Sequence, residues 1–266
     1  MKLPVLFIGH GSPMNAVEET PYVREWRQLG SSLRSRYGNE IKAVLAVSAH
    51  WVGEGSAVTV AAQPQTIHDF YGFPQALFDV RYPAPGSPEL AQEVRRLLGK
   101  TRVAEDTEWG LDHGAWSVLC HLFPEADVPV VQLRLDARLG FAEHFELGRK
   151  LAELRSRGVL IVASGSIIHN LRLLDRNAPD DAGAGYEWAE QVRLWVNRLI
   201  AAGDTQTLRN ERAYPPEFRL AAPTPEHYWP LLYAAGAAEG DEARIFNDEI
   251  LGKSLSMTSA VWGMAV

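Results

Sequence analysis

The sequence predicts an α/β fold: a largely parallel central sheet flanked by helices on both faces, with all 266 residues in a single domain. Three observations lead there. Short runs rich in Val, Ile and Leu lack the alternation of a half-exposed strand, so they read as strands buried on both faces. Segments of helical periodicity separate these runs, and parallel strands need long crossovers of that kind. Hydrophobic residues make up 46% of the chain, ample for a core on both sides of a sheet.

Leu3 to Ile8 is the first predicted strand, and Tyr22 to Arg36 the helix after it. Ile41 to Val47 is the second strand; helices follow over Ser87 to Leu98 and Ala115 to Leu122. Val128 to Leu135 and Val159 to Ala163 are further buried strands, separated by a helix over Ala142 to Arg155. The polar stretch "DRNAPDDAGAG", Asp175 to Gly185, predicts a mobile surface loop. A helix near Tyr186 to Ala202 then carries Trp188, Val192 and Trp195 on one face. The closing "ARIFNDEILGKSLSMTSAVWG" reads as a pair of strands completing the sheet edge.

A formal charge of −7 and a pI of about 5.6 argue against nucleic acid or an anionic membrane as partner, because the average field repels phosphate. Small-molecule chemistry is the better expectation. A single cysteine, Cys120, excludes an internal disulfide framework and a thiolate metal cluster, and reads as a buried small hydrophobe. The opening "MKLPVLFIGHGSP" has too short an apolar run for a signal peptide or a membrane span, so the cytoplasm is the expected location.

The eight histidines carry the chemical information. His10 follows the strand "PVLFIG", His50 follows "AVLAVSA", and His169 comes a few residues after "VLIVASG". Residues just beyond the carboxyl ends of parallel strands collect along one edge, where ligand crevices form, so three imidazoles would share a rim. His227, in "PTPEHYWPLLYAAG", would sit on a first helical turn with Thr224 as cap and Pro225 beside it. His113 opens a helix from a glycine-flanked loop, and His68 lies in the aromatic-rich "TIHDFYGFP". His121 and His144, inside helical segments, read as helix-surface or packed histidines without a chemical role. Gly11, Gly114 and Gly165 would allow turns that aim side chains into a cleft.

His10, His50 and His227 are the candidate metal ligands. Neutral imidazole suits zinc, copper and iron, whereas magnesium and calcium prefer oxygen. Three protein ligands leave positions open for substrate or water, as catalytic sites require. Composition alone leaves zinc-activated water and iron-activated oxygen equally open.

Seven ordered blocks, "GHGSPMN", "VSAHW", "TIHDFYGFPQALFDVRYPAPGSPELA", "WGLDHGAWSVL", "PVVQLRLD", "ASGSIIHNLR" and "PTPEHYWPLLYAAG", resemble the class III extradiol ring-cleaving dioxygenases, most closely the 4,5-DOPA dioxygenase extradiol family. The resemblance runs from about His10 to the end of the chain. It implies that His10, His50 and His227 hold one divalent metal, that His169 is the acid/base, that His113 assists at substrate or oxygen, and that His68 and Asp69 line the substrate pocket. Its implied partners are a small aromatic diol, such as L-DOPA, and O2. Fe(II) is the expected catalytic ion, with Zn(II) expected in some isolated forms. A histidine of ordinary pKa near 6.5 suits the task of accepting a catechol proton and returning it.

Two rival readings use the same histidines: a zinc hydrolase with His169 or Glu226 as base, and a non-catalytic metal-binding or scaffold relative. Trp51, Trp109, Trp116, Phe70, Tyr71 and Phe73 fall beside the histidine motifs and would wall a pocket for an aromatic ring. Ser12 and Ser164 read as turn residues. Arg172, Arg81 and Arg134 are candidates for pairing with a substrate carboxylate.

Overall fold

Eight strands hydrogen-bond into one sheet whose centre is parallel. In the structure, a computed structural model, residues 1–178 and 185–264 are described. Most of the loop expected over Asp175 to Gly185 therefore lies outside the described residues. The strands are β1 (Val5–Gly9), β2 (Ala43–Gly53), β3 (Ser56–Thr59), β4 (Val103–Asp106), β5 (Val130–Asp136), β6 (Val159–Gly165), β7 (Ala243–Phe246), β8 (Ile250–Leu251), β9 (Leu255–Ser256) and β10 (Ser259–Trp262). Their order is β4-β3-β5-β2-β6-β1-β10-β7, with β8 and β9 forming a separate hairpin. Neighbours from β5 through β2 and β6 to β1 are all parallel. The carboxyl-terminal segment supplies one edge, with β10 antiparallel to β1 and β7 antiparallel to β10.

The unalternating runs are buried on both faces, as expected. Along β1, Val5 and Phe7 join one hydrophobic cluster, while Leu6 and Ile8 join the other. β6 divides likewise, with Val159, Ile161 and Ala163 facing one way and Leu160 and Val162 the other. One face is covered by the helices Pro21–Tyr37 and His113–Leu122. The opposite face carries the helices Pro88–Leu98, Phe141–Leu151, Glu187–Ala202 and Trp229–Ala237. The helix expected over Ala142 to Arg155 is α-helical only to Leu151 and tightens to a 3-10 turn over Ala152–Arg157. β3 and β4, four residues each, were not foreseen; "VAED" exposes two of its four side chains and has no hydrophobic run to announce it. Among the described residues no helix is long and apolar enough to cross a membrane.

His144 has the packed role expected of it. It is fully buried between Trp229, with ring centroids 4.6 Å apart, and Tyr233, at 5.5 Å. Burial, opposed by the Asp136 charge, pulls its pKa down to about 4. The unfolded chain binds this proton near pH 6.5 and the folded chain only near 4. The stability held by the neutral ring is therefore present above pH 6.5 and drains away as pH falls toward 4, by about 1.4 kcal/mol per unit. His144→Phe is expected to move the acid-unfolding midpoint to lower pH, read by circular dichroism on metal-free protein. An unmoved midpoint would contradict the assignment.

Candidate metal centre and its cavity

β2, β6 and β1 lie side by side and parallel, so their carboxyl ends deliver side chains to one short stretch of sheet edge. His10 is the first residue after β1, and its N–H donates to Gly165 O at the end of β6 (3.2 Å). Gly11 turns the chain away with φ +62°, a conformation glycine adopts without strain. His50 lies within β2, not beyond it as the sequence suggested. The pairing of β2 with β5 shifts register between Val47 and Val52, and an irregularity of this kind re-aims side chains.

His227 arrives from a distant part of the chain, on a 3-10 turn over Pro225–His227. Its carbonyl accepts from Ser166 N at 2.7 Å. Gly165 permits that approach: a Cβ there would collide with His227 O. Thr224 occupies the cap position as expected, but its hydroxyl makes no capping bond and donates to Glu226 Oε1 instead, at 2.9 Å.

The ligand-competent nitrogens of His10, His50 and His227 lie within 4.8 Å of one another. His10 Nε2 and His50 Nε2 are 3.1 Å apart, a separation that suits two nitrogens bound to one ion at about 2.1 Å. His10 Nδ1 lies 2.9 Å from Ser164 Oγ and His227 Nδ1 lies 3.1 Å from Glu226 Oε1, which leaves each Nε2 lone pair for an ion. His227 Nε2 is buried without a hydrogen-bond partner, the signature of a donor set built for something else. These residues therefore fit a divalent ion of the imidazole-preferring class. Burial first, and then mutual repulsion, hold His10 and His50 well below the ordinary histidine pKa. For His227 the causes are burial, His169 and His113. All three are thus free bases at neutral pH, as ligation requires.

His169 stacks on His227 with ring centroids 3.5 Å apart and planes within 6°. Its backbone N–H donates to Ala221 O at 2.7 Å. Burial pulls its pKa down to about 4 against the pull of Glu226. His113, the first residue of its helix, lies with its ring centroid 3.8 Å from that of His50. Asp69 clamps it twice: Oδ1 accepts from His113 N at 2.9 Å, and Oδ2 lies 2.9 Å from His113 Nδ1. Asp69 Oδ2 is also 3.6 Å from His50 Nδ1. The carboxylate sits below its ordinary pKa because the bonds and charge of His113 outweigh its burial.

A cavity of about 430 Å³ opens onto His10, His50, His113 and His169, with Asp69 in its wall. Phe70, Tyr71 and Phe73 line it as expected of a pocket for an aromatic ring. Trp51, Trp109 and Trp116 do not: Trp51 and Trp109 stack on each other (5.3 Å, 4°), and Trp116 donates its indole N–H to Ile67 O (2.8 Å). His68, expected in the pocket wall, is not among the residues lining this cavity. It packs behind Phe70, with centroids 5.7 Å apart, and its Nε2–H is directed to Val80 O at 3.1 Å.

Sequence reasoning missed the partners that orient the ligands. Ser164 is not a turn residue but a buried member of β6, opposite Ile8 in the parallel register, where it meets His10. Asp112 is fully buried as the cap of the helix that starts at His113, and accepts from Ser48 Oγ (2.7 Å), which in turn accepts from His50 N (3.2 Å). Burial raises the Asp112 pKa to about 6. No local pattern announces the Ser164–His10 and Ser48–Asp112 links, because each joins residues far apart in the chain.

The family described as the catalytic LigB subunit of aromatic ring-opening dioxygenase matches residues 4–262. A protein of Escherichia coli K12 named 4,5-DOPA dioxygenase extradiol is 46% identical over 249 residues, covering 91% of this chain and 87% of its own length. A Beta vulgaris protein of the same name is 36% identical over 261 residues, 95% of this chain and 94% of that one. The crystal structure of an uncharacterized protein from Escherichia coli K12 superposes with a TM-score of 0.83 at 38% identity, covering 98% of this chain and 100% of that chain. Because the match takes in the whole sheet and every histidine of the cavity, the chain belongs to the family of the catalytic LigB subunit of aromatic ring-opening dioxygenases.

Proposed function

We propose that this protein opens the ring of a catechol on the extradiol side, using O2 and one Fe(II) held by His10, His50 and His227. The observation that carries the reading is the convergence of three imidazole nitrogens, one buried and partnerless, beside a cavity lined by aromatic side chains. The relatives named 4,5-DOPA dioxygenase extradiol support a substrate of the L-DOPA type. When bound, iron supplies redox-active Lewis acidity that Zn(II), with no redox chemistry, lacks.

The protein's own side chains then have distinct tasks. His169, neutral at pH 7 and exposed to the cavity, accepts the proton of a diol hydroxyl on an imidazole nitrogen. The low basicity that burial imposes makes its charged form a ready donor, so the same nitrogen returns the proton as the ring opens. His113, held at two points by Asp69, presents a fixed imidazole where negative charge develops on oxygen. Asp69 acts through His113 as a positioning residue; both its oxygens are engaged, which leaves it poorly placed to bind substrate directly. Phe70 and Phe73 flank the ring and exclude water. A reducing cytoplasm, the proposed location, would keep the iron ferrous.

Loading the protein anaerobically with Fe(II), then admitting air with a panel of catechols that includes L-DOPA, is expected to yield a yellow ring-opened semialdehyde. Neither the anaerobic sample nor the Zn(II)-loaded protein should form it. No product across the panel, with iron confirmed bound, would refute the proposal.

A further inference from the structure

We propose that Arg176 is a specificity-determining residue that selects catechols whose side chain bears a carboxylate. The inference rests on the ring-opening reading and defines the substrate class of that same cavity. Most of the cavity wall outside the histidines is apolar, but Arg176 brings one side chain of permanent positive charge to it. Arg176 is exposed, as are Tyr71 and Leu171, so the guanidinium stands at the solvent side of the pocket. A volume of about 430 Å³ suits one aromatic ring with a short substituent. A catechol with its diol toward the histidines would carry that substituent toward the rim.

Two carboxylates near Arg176 in the chain or in the cavity wall, Asp175 and Asp69, are used elsewhere. Asp175 pairs with Lys253 Nζ at 3.0 Å, and both oxygens of Asp69 are taken by His113. Among the described residues Arg176 has no acidic partner, and its planar fork can accept a carboxylate through two parallel hydrogen bonds. On a chain of net charge −7, a cation at an aromatic cavity also draws anions locally. The arginines singled out from the sequence are placed otherwise. Arg81 donates to the carbonyls of Phe78 (2.6 Å) and Val80 (2.8 Å), and Arg134 to those of Gly55 (2.9 Å) and Glu54 (3.1 Å). Arg172 is not among the lining residues.

Among the described residues Asp69 is the one carboxylate of the wall, and its engagement leaves a substrate ammonium without a dedicated acceptor there. The site therefore reads the carboxylate and not the amino group. It should treat 3-(3,4-dihydroxyphenyl)propionate as well as L-DOPA, and discriminate against dopamine.

The test compares kcat/KM of the iron-loaded full chain for 3-(3,4-dihydroxyphenyl)propionate, L-DOPA, 4-methylcatechol and dopamine in the wild type, R176Q and R176E. Anaerobic calorimetry of the same ligands with the Zn(II)-loaded protein gives affinities without turnover. The wild type is expected to favour the propionate over 4-methylcatechol by roughly tenfold, the worth of one charged hydrogen-bonded contact. That ratio should collapse in R176Q and tilt toward dopamine in R176E, and about 0.5 M salt should compress it in the wild type. Ratios that stay within about twofold across all three proteins would overturn the assignment while leaving ring opening intact. If no catechol is cleaved, the ring-opening reading falls, and the zinc-protein affinities decide the charge preference by the same ratios.

Discussion

His10→Ala is expected to abolish metal retention while the fold survives. His10 brings to the centre the Nε2 that lies 3.1 Å from His50 Nε2, and Ser164 Oγ, 2.9 Å from Nδ1, holds the ring in the ligating tautomer when it accepts the Nδ1–H. Removing a partner that merely orients a metal-bound histidine costs about 10–100-fold in affinity, so loss of the ligand itself should exceed roughly 100-fold. The fold should tolerate the change, because burial and four other imidazoles that repel its charged form keep His10 neutral in the metal-free protein. Elemental analysis after Fe(II) loading and desalting measures the first effect, and metal-free thermal unfolding the second. Stoichiometric metal in the variant would remove His10 from the ligand set.

His169→Gln should behave in the opposite way, keeping the ion and losing the chemistry. The His169 ring lies against the face of His227, 3.5 Å away, on the wall of the cavity. A positioned acid/base contributes about 10²–10⁴-fold, so kcat is expected to fall by that much. Catechol affinity should change only a few-fold, because glutamine still fills the wall. Metal content read beside kcat separates the possible roles: loss of iron from this variant would make His169 a ligand, and unchanged kcat would deny it the proton transfer.

The central strands and most helices were legible because they obey local rules. The run "VLFIG" is buried on both faces, and its flat hydrophobic pattern says so without reference to any other residue. His10 and His169 were legible for a related reason: a side chain that follows a parallel strand is placed by the sheet, whatever the loops do. β3 and β4 were not, because four residues with little hydrophobic pattern pair only when a neighbour offers its edge. The aromatic residues near the histidine motifs divided on packing alone, Phe70 and Phe73 to the cavity and Trp51 and Trp116 to the interior.

The parallel core and the strand ends that carry imidazoles could be read along the chain. Which groups finish the site followed from how the strands pack. Ser164 on His10 and Asp69 on His113 each depend on a distance of a few ångströms between residues far apart in the chain. Hydrophobic burial is a sum over many residues and leaves a pattern along the chain. A hydrogen bond or an ion pair depends on two atoms at the right separation, and that separation exists only once the strands have taken their places.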